Sequence, residues 1–162
     1  MITCIDTCCL INLINSGLLP RIVAATGRSF QFQGLVEDEL VSHRAVVESL
    51  VKTGLLTRIS GAGFSASEVG AIALRHNIGV GESECIAICL KTGVLLASDD
   101  RRARNAGISE LSKNRVTGSI GLLRDTVQSG LIEAGEAAEA VICMRSAGAF
   151  VPNLGSQFFQ AP

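Results

Sequence analysis

Short apolar runs alternate along this chain with segments long enough to form helices, and this alternation constrains the fold more than any other feature. The runs MITCI (1–5) and VLLAS (94–98) have the length and apolar character of buried strands. Parallel neighbours in a sheet need connections of about a dozen residues or more, usually helical. The alternation therefore predicts βαβ units in an α/β fold, with a central parallel sheet flanked by helices on both faces.

The other elements follow from local periodicity. RSFQFQG (28–34) alternates Phe with Gln, which predicts a strand near an edge of the sheet. LLTRIS (55–60) and RVTGS (115–119) predict two further strands, and NIGVG (77–81) predicts a loop. Helices are predicted over 7–16, 18–25, 36–52, 65–76, 82–93, 120–130 and 133–148.

Composition limits the class of protein. A chain of 162 residues has room for one globular domain, and 14 basic against 15 acidic side chains exclude a generally cationic surface. No apolar run reaches the roughly 18 residues that span a bilayer, so we expect no membrane partner. The start MITCID lacks the features of a signal peptide, so we expect reduced thiols and a cytoplasmic location. Cys85 and Cys89 are one helical turn apart and leave a zinc site open as an alternative, although no CxxC pair or nearby histidine supports it.

Acidic residues stand where the predicted strands end. Asp6 follows the first strand, Asp99 and Asp100 follow VLLAS, and Glu39 and Glu82 lie in the first turns of predicted helices. Carboxylates brought together at one sheet edge repel each other unless a cation neutralises them, and Mg²⁺ or Mn²⁺ prefers such oxygen ligands. The pattern predicts metal-assisted attack of water on a phosphodiester. Each acid taken alone is also explained as a helix cap or a partner of the helix dipole.

Five stretches, in this order and spacing, resemble the PIN-domain nucleases, most closely the small prokaryotic branch of VapC-type toxins and related stand-alone PIN proteins. The resemblance covers about 1–132, which implies a PIN-like nuclease domain there and a C-terminal helix and tail, 133–162, packed on the same domain. The stretches are IDTCCLINLINSGLL, LVEDEL, GESECIAICLKTG, LLASDDRRARNAG and VTGSIGLLRDTVQSGLI.

The resemblance also implies roles for individual residues. Thr7 and Ser98 place hydroxyls beside the metal pocket. The catalytic acids are then Asp6, Glu39, Glu82 and Asp100, and the metal contacts are Asp6, Glu82, Asp99 and Asp100. The implied cofactor is Mg²⁺ or Mn²⁺, the substrate is RNA, and the implied partners are a second copy of the chain and, for a toxin, a small antitoxin protein.

Basic and aromatic residues complete the sequence predictions. We expect Arg101, Arg102 and Arg104 to hold the RNA backbone, unless they only balance the acids or remain solvated. Lys113 and Arg115 are expected to extend this basic track. The chain has six Phe and neither Trp nor Tyr, so stacking on bases should contribute little. The tail is expected to be anchored by Phe150, Phe158 and Phe159.

The resulting prediction is a metal-dependent endoribonuclease. A non-catalytic PIN-like binding module is one alternative, because the acids alone do not prove catalysis. A phosphatase or a receiver-like phosphoryl-transfer domain is another, but Cys8 stands where the phosphatase pattern requires a second Asp.

Overall fold

The computed structural model describes residues 2–33, 43–59 and 64–160. In these residues five strands form one sheet of order β3-β2-β1-β4-β5, and every neighbouring pair is parallel. The predicted parallel α/β fold is therefore confirmed, and β2 lies second from one edge. The strands are β1 (Ile2–Ile5), β2 (Ser29–Gln33), β3 (Leu56–Ile59), β4 (Leu95–Ala97) and β5 (Val116–Thr117).

Helices connect the strands and cover the sheet in two groups. One group, α4 to α6, packs together beside β1 and β4, and the other is formed mainly by α1, α2, α7 and α8. The helices of the described residues are α1 (Thr7–Asn15), α2 (Leu19–Thr26), α3 (Arg44–Lys52), α4 (Ala66–His76), α5 (Val80–Thr92), α6 (Arg101–Leu111), α7 (Ser119–Gln128), α8 (Ala134–Ser146) and α9 (Ser156–Phe159). A single 3₁₀ turn spans Lys113–Arg115.

Two helix boundaries show how local chemistry sets the elements. The predicted capping box is present: Ser65 Oγ accepts from the Glu68 N–H, and Glu68 Oε2 accepts from the Ser65 N–H. The loop predicted over 77–81 is too long, because α5 already begins at Val80. Gly79 is the N-cap of this helix, and the Glu82 carboxylate folds back so close to it that a Cβ at this position would collide with Glu82 Oε2.

The core contains aromatic rings and thiols in close packing. Phe30 and Phe32 of β2 are completely buried, as are Cys4, Cys85 and Cys89. Hydrogen bonding to Cys85 and Cys89, together with burial, raises the pKa of the Cys4 thiol well above its usual value. The six cysteines are all unpaired. These buried thiols therefore behave as small apolar residues of the core.

The C-terminal segment packs on α7 and α8. Val141 and Met144 of α8 are buried, and so is Phe159. The prediction that Phe150 anchors the tail is wrong, because its side chain is fully exposed. Val151, the next residue, is the buried one.

Among the helices that the structure describes, none is by itself both long and apolar enough to cross a membrane. The pair α1 and α2, bent by 108°, passes that test by length and composition only.

Candidate active site

The acids at the strand ends meet because β1 and β4 are neighbours. Ile5 lies opposite Ala97 in the parallel register, and the Asp6 N–H donates to the Ala97 carbonyl at 3.0 Å. Asp6 and the pair Asp99 and Asp100 therefore leave adjacent strands at the same carboxyl edge of the sheet. In open parallel sheets this edge is where ligands bind.

Asp6 has one oxygen engaged and one free. It caps α1, and its Oδ1 accepts from the Cys9 N–H at 2.8 Å. Its Oδ2 is buried and has no hydrogen-bond partner among the described residues. The buried Ser98 hydroxyl lies near enough to Asp6 to lower the pKa of its carboxyl, but it makes no hydrogen bond of good geometry to either oxygen. Since buried polar atoms are normally satisfied, Oδ2 is available to a ligand that the protein itself does not supply.

The surroundings of Asp6 disfavour its charge. Burial raises the pKa of its carboxyl to about 7, against an ordinary value of 3.8. The Ser98 hydroxyl and the Cys9 N–H partly lower this pKa, while the charges of Asp99 and Glu82 raise it further. A divalent cation at Oδ2 would lower the pKa of Asp6 again, because it would favour the ionised carboxyl.

Asp99 is engaged through both of its oxygens. Asn12 Nδ2 donates to Oδ2 at 2.7 Å, and the Ser119 N–H at the start of α7 donates to Oδ1 at 2.8 Å. Gly118 allows this approach, because a Cβ there would lie 2.6 Å from Asp99 Oδ1. Asp99 thus ties α1 and α7 to the end of β4 and acts on Asp6 through its charge.

Asp100 and Glu82 complete the described acids. Asp100 caps α6, with Oδ1 accepting from the Ala103 N–H at 2.8 Å. Its side chain is only partly buried, and its Oδ2 has no hydrogen-bond partner in the described residues. Glu82 lies in the first turn of α5, and its charge acts on both Asp6 and Cys8.

The pKa of the Cys8 thiol responds to the charges of all four described acids. Its pKa rises to about 12, first because neighbouring groups desolvate it and then because four carboxylates act on it. These carboxylates belong to Asp6, Asp100, Glu82 and Asp99. The thiol also lines a cavity of about 450 Å³ together with Asp99 and Asp100. Asp99 and Asp100 supply the two carboxylates of this cavity, which we call its acidic floor, whereas Asp6 and Glu82 do not line it and act on the thiol through their charge.

The remaining predicted site residues are less informative. Thr7 is buried in the first turn of α1, and Glu39 lies outside the described residues.

Within the ranges that the structure describes, no three side chains of His, Cys, Asp or Glu have the geometry to hold a metal ion. The free oxygen of Asp6 and the acidic floor nevertheless fit a hard cation, because Mg²⁺ takes only one or two carboxylates and retains several waters.

The predicted basic residues separate into different environments. Arg101 lines the acidic cavity, whereas Arg102 is exposed and lines neither this cavity nor the next. Arg104 lines a second cavity, also of about 450 Å³, which shares Asp99 with the first. The prediction for Arg115 is wrong, because its Nη2 donates to the carbonyls of Cys89 and Val94 and fixes the end of α5.

Sequence reasoning missed four residues of this region. Asn12 positions Asp99, Gly118 allows the contact with α7, Arg124 lines the second cavity, and Phe150 stands at the rim of the first. Only Asn12 left a recognisable signal, as an amide within an otherwise apolar helical run. The other three depend on packing between segments that are distant in sequence.

The sheet order and the carboxylates at its edge define an α/β protein in which acidic side chains follow the carboxyl ends of two neighbouring parallel strands. The family model DUF3368, described as a PIN domain, matches residues 2–157, and the chain belongs to the PIN-domain family. The PIN domain is a nuclease-type fold of the hydrolase class, and PIN nucleases typically use divalent metals. The match extends into α9, beyond the region 1–132 in which the sequence motifs lie. No curated protein and no solved structure matches the chain.

Proposed function

We propose that this protein is a metal-dependent endoribonuclease that hydrolyses RNA phosphodiester bonds at the acidic cavity. The observation that carries the proposal is the buried, unpartnered Asp6 Oδ2, which lies near the negative charges of Asp99 and Glu82. A protein gains no stability from such an arrangement in the absence of a cation. The arrangement is therefore better explained by a ligand than by the fold.

The role proposed for each acid follows from which of its carboxylate oxygens lacks a hydrogen-bond partner in the described residues. Asp6 and Asp100 each use one oxygen to cap a helix and keep the other for Mg²⁺ or Mn²⁺. Asp99 positions α1 and α7 and adds negative charge. Glu82 and Glu39 are proposed as the remaining acids, with the Thr7 and Ser98 hydroxyls beside them. A bound divalent ion would supply an activated water and offset charge on the leaving oxygen.

The second cavity supports RNA as the polyanionic substrate. Arg104, Lys113 and Arg124 line it, and none of them has an ion-pair partner among the described residues. Because this cavity shares Asp99 with the acidic one, a strand whose phosphates lie along the three cations leads directly to the acidic floor. Arg101 is proposed to hold the phosphate nearest that floor.

The partners belong to the same proposal. A VapC-type toxin would act as a homodimer and be inhibited by a small antitoxin protein. Exposed apolar side chains such as Val46 on α3 and Ile142 on α8 supply surface for such contacts. Co-expression with a neighbouring gene for a small protein, followed by measurement of the mass of the complex, tests this part separately from catalysis.

The test of the activity is Mn²⁺-dependent cleavage of a mixed pool of single-stranded and hairpin RNA. We compare the wild type, the wild type with EDTA, and Asp6→Asn. The matched control is Glu139→Gln, which removes one negative charge from α8, away from the acidic cavity. We expect cleavage by the wild type and by Glu139→Gln only.

Two outcomes would contradict the proposal. Cleavage that persists in Asp6→Asn would remove the site. An absence of cleavage, with a melting temperature that Mn²⁺ leaves unchanged, would show that the acids do not hold a metal. The second outcome would favour a non-catalytic binding module.

A further inference from the structure

The segment that follows α8 forms one wall of the acidic cavity. Residues 147–150 line this cavity together with Cys8, Asn12 and the acids Asp99 and Asp100. Phe150 stands at the rim and is the most exposed of the large apolar side chains that the structure describes, at 103% of its reference area. Leaving a phenyl ring in water is unfavourable relative to burying it, so this placement calls for an explanation.

The backbone around Phe150 is held on both sides, so the ring does not belong to a loose tail. The chain turns at Gly148, whose φ is +96°, and the Ala149 N–H donates to the Met144 carbonyl at 3.0 Å. On the other side, Val151 is buried, and its carbonyl accepts from Arg145 Nη1 at 2.6 Å. The structure thus fixes the residues before and after the ring and leaves the ring itself uncovered.

The chemistry of the surrounding cavity limits what this ring can contact. The Arg101 guanidinium in the same cavity favours an anionic group, and the exposed ring favours a flat apolar face, so a ligand that has both fits this wall of the cavity. A nucleotide has both, as phosphate and base. Stacking of a base on an aromatic side chain stabilises the complex and needs a base that is free of its pairing partner.

We propose that Phe150 is the platform on which an unpaired nucleobase stacks while its adjoining phosphate lies over the acidic cavity. This inference rests on the proposed nuclease function and adds to it a side chain that contacts the substrate. It also replaces the expectation that base stacking contributes little. Since every base has an aromatic face, the contact selects for unpaired strands rather than for a sequence.

The composition of the chain allows a direct spectroscopic test. There is no Trp or Tyr in the sequence, so Phe150→Trp introduces a single strong fluorophore at the site. We combine it with Asp6→Asn to prevent cleavage and titrate it with an unstructured oligoribonucleotide, with its duplex, and with an abasic oligomer of equal length and charge. The matched control is Leu74→Trp in the same background, because Leu74 is 87% exposed on α4 and lines neither cavity.

We expect the unstructured strand to quench the indole emission of Phe150→Trp saturably, with at least 10-fold weaker effects from the duplex and the abasic oligomer. The Leu74→Trp control should show no saturable change. Independently, Phe150→Ala should lower kcat/KM on single-stranded RNA by about 10- to 100-fold, mainly through KM, while Phe150→Trp retains activity.

Stacking at Phe150 and the proposed nuclease function can be contradicted independently of each other. If a labelled oligoribonucleotide binds or is cleaved but the emission of Phe150→Trp does not change, stacking at Phe150 is excluded and the nuclease proposal stands. If the emission depends on protein concentration and not on RNA, Phe150 is a contact between protein copies and the inference is wrong. Quenching by single-stranded RNA without any cleavage by the wild type would support stacking and contradict the nuclease proposal.

Discussion

At the scale of single residues, the functional chemistry of this protein is concentrated in one carboxyl group. Asp6 is required locally as the cap of α1, and one oxygen would satisfy that role. The second oxygen is buried beside like charges, which no helix cap requires. The buried, ionised Asp6 carboxyl therefore destabilises the folded state, which an ordinary helix cap does not do. This destabilisation distinguishes a ligand site from a structural aspartate, and it can be measured.

The first prediction concerns the pH dependence of stability without metal. The pKa of Asp6 is about 7 in the folded state and 3.8 ordinarily, so the folded state binds its proton more tightly. Ionised Asp6 therefore lowers the free energy of unfolding. This loss is absent below pH 3.8, grows as the pH rises, and levels off above pH 7 at on the order of 4 kcal/mol. Asp6→Asn should remove it, so the variant should be more stable than the wild type at pH 8 and nearly equal to it at pH 4.

The measurement is the free energy of unfolding in urea, in EDTA, across this pH range. Taking the difference between wild type and variant cancels the contributions of ionisable groups that do not interact with Asp6. Asp100→Asn is the control, because it keeps a helix cap on a partly exposed side chain. An identical pH dependence in wild type and Asp6→Asn would show that burial does not disfavour this charge.

At the scale of elements, the site depends on one junction between β4, α1 and α7. Asp99 receives hydrogen bonds from Asn12 of α1 and from the first N–H of α7. The positive end of the α7 dipole favours a carboxylate at this place. Three elements are thereby fixed around the acidic floor by a single side chain, and Gly118 provides the space for it.

The second prediction tests this junction with Gly118→Ala. A Cβ at this position would lie 2.6 Å from Asp99 Oδ1 and 2.8 Å from the Ser98 carbonyl oxygen, which is backbone and cannot move aside cheaply. The φ of Gly118 is −155°, so the cost is steric rather than conformational. We expect a loss of about 1–3 kcal/mol in the free energy of unfolding and reduced Mn²⁺-dependent cleavage.

Gly70→Ala is the matched control, because Gly70 lies inside α4 and a Cβ there meets nothing within 4 Å. It should raise the free energy of unfolding by about 0.5–1 kcal/mol and leave cleavage unchanged. If Gly118→Ala were as stable and as active as Gly70→Ala, Asp99 would not need its contact with α7.

At the scale of the whole molecule, the sequence was sufficient for the order and type of the described elements except α9 and the 3₁₀ turn, which were not predicted. The signals of the predicted elements are local: apolar runs of strand length, helical periodicity, and caps such as Ser65 with Glu68. The convergence of the acids followed from topology, because the ends of parallel strands share one edge. The exposed ring of Phe150 and the buried role of Arg115 were not predictable, because both depend on contacts between distant segments.

The third prediction asks whether the C-terminal segment is part of the folding unit. Phe158 and Phe159 are adjacent in α9 and contact each other edge to face, with ring centroids 5.1 Å apart. Phe159 is 1% exposed and packs in the core, whereas Phe158 is 46% exposed. Phe159→Ala should therefore lower the free energy of unfolding by about 3 kcal/mol or more, and Phe158→Ala by less than about 1 kcal/mol.

Urea unfolding followed by circular dichroism compares the two variants, and the transition of Phe159→Ala should remain single, because one cavity in a shared core weakens the whole domain. A second transition at low urea would mean that α9 and its neighbours unfold by themselves. Equal, small losses in both variants would make the last residues a peripheral tail. In that case the wall of the acidic cavity and the fixed position of Phe150 would lose their support, because Phe150 lies between α8 and α9.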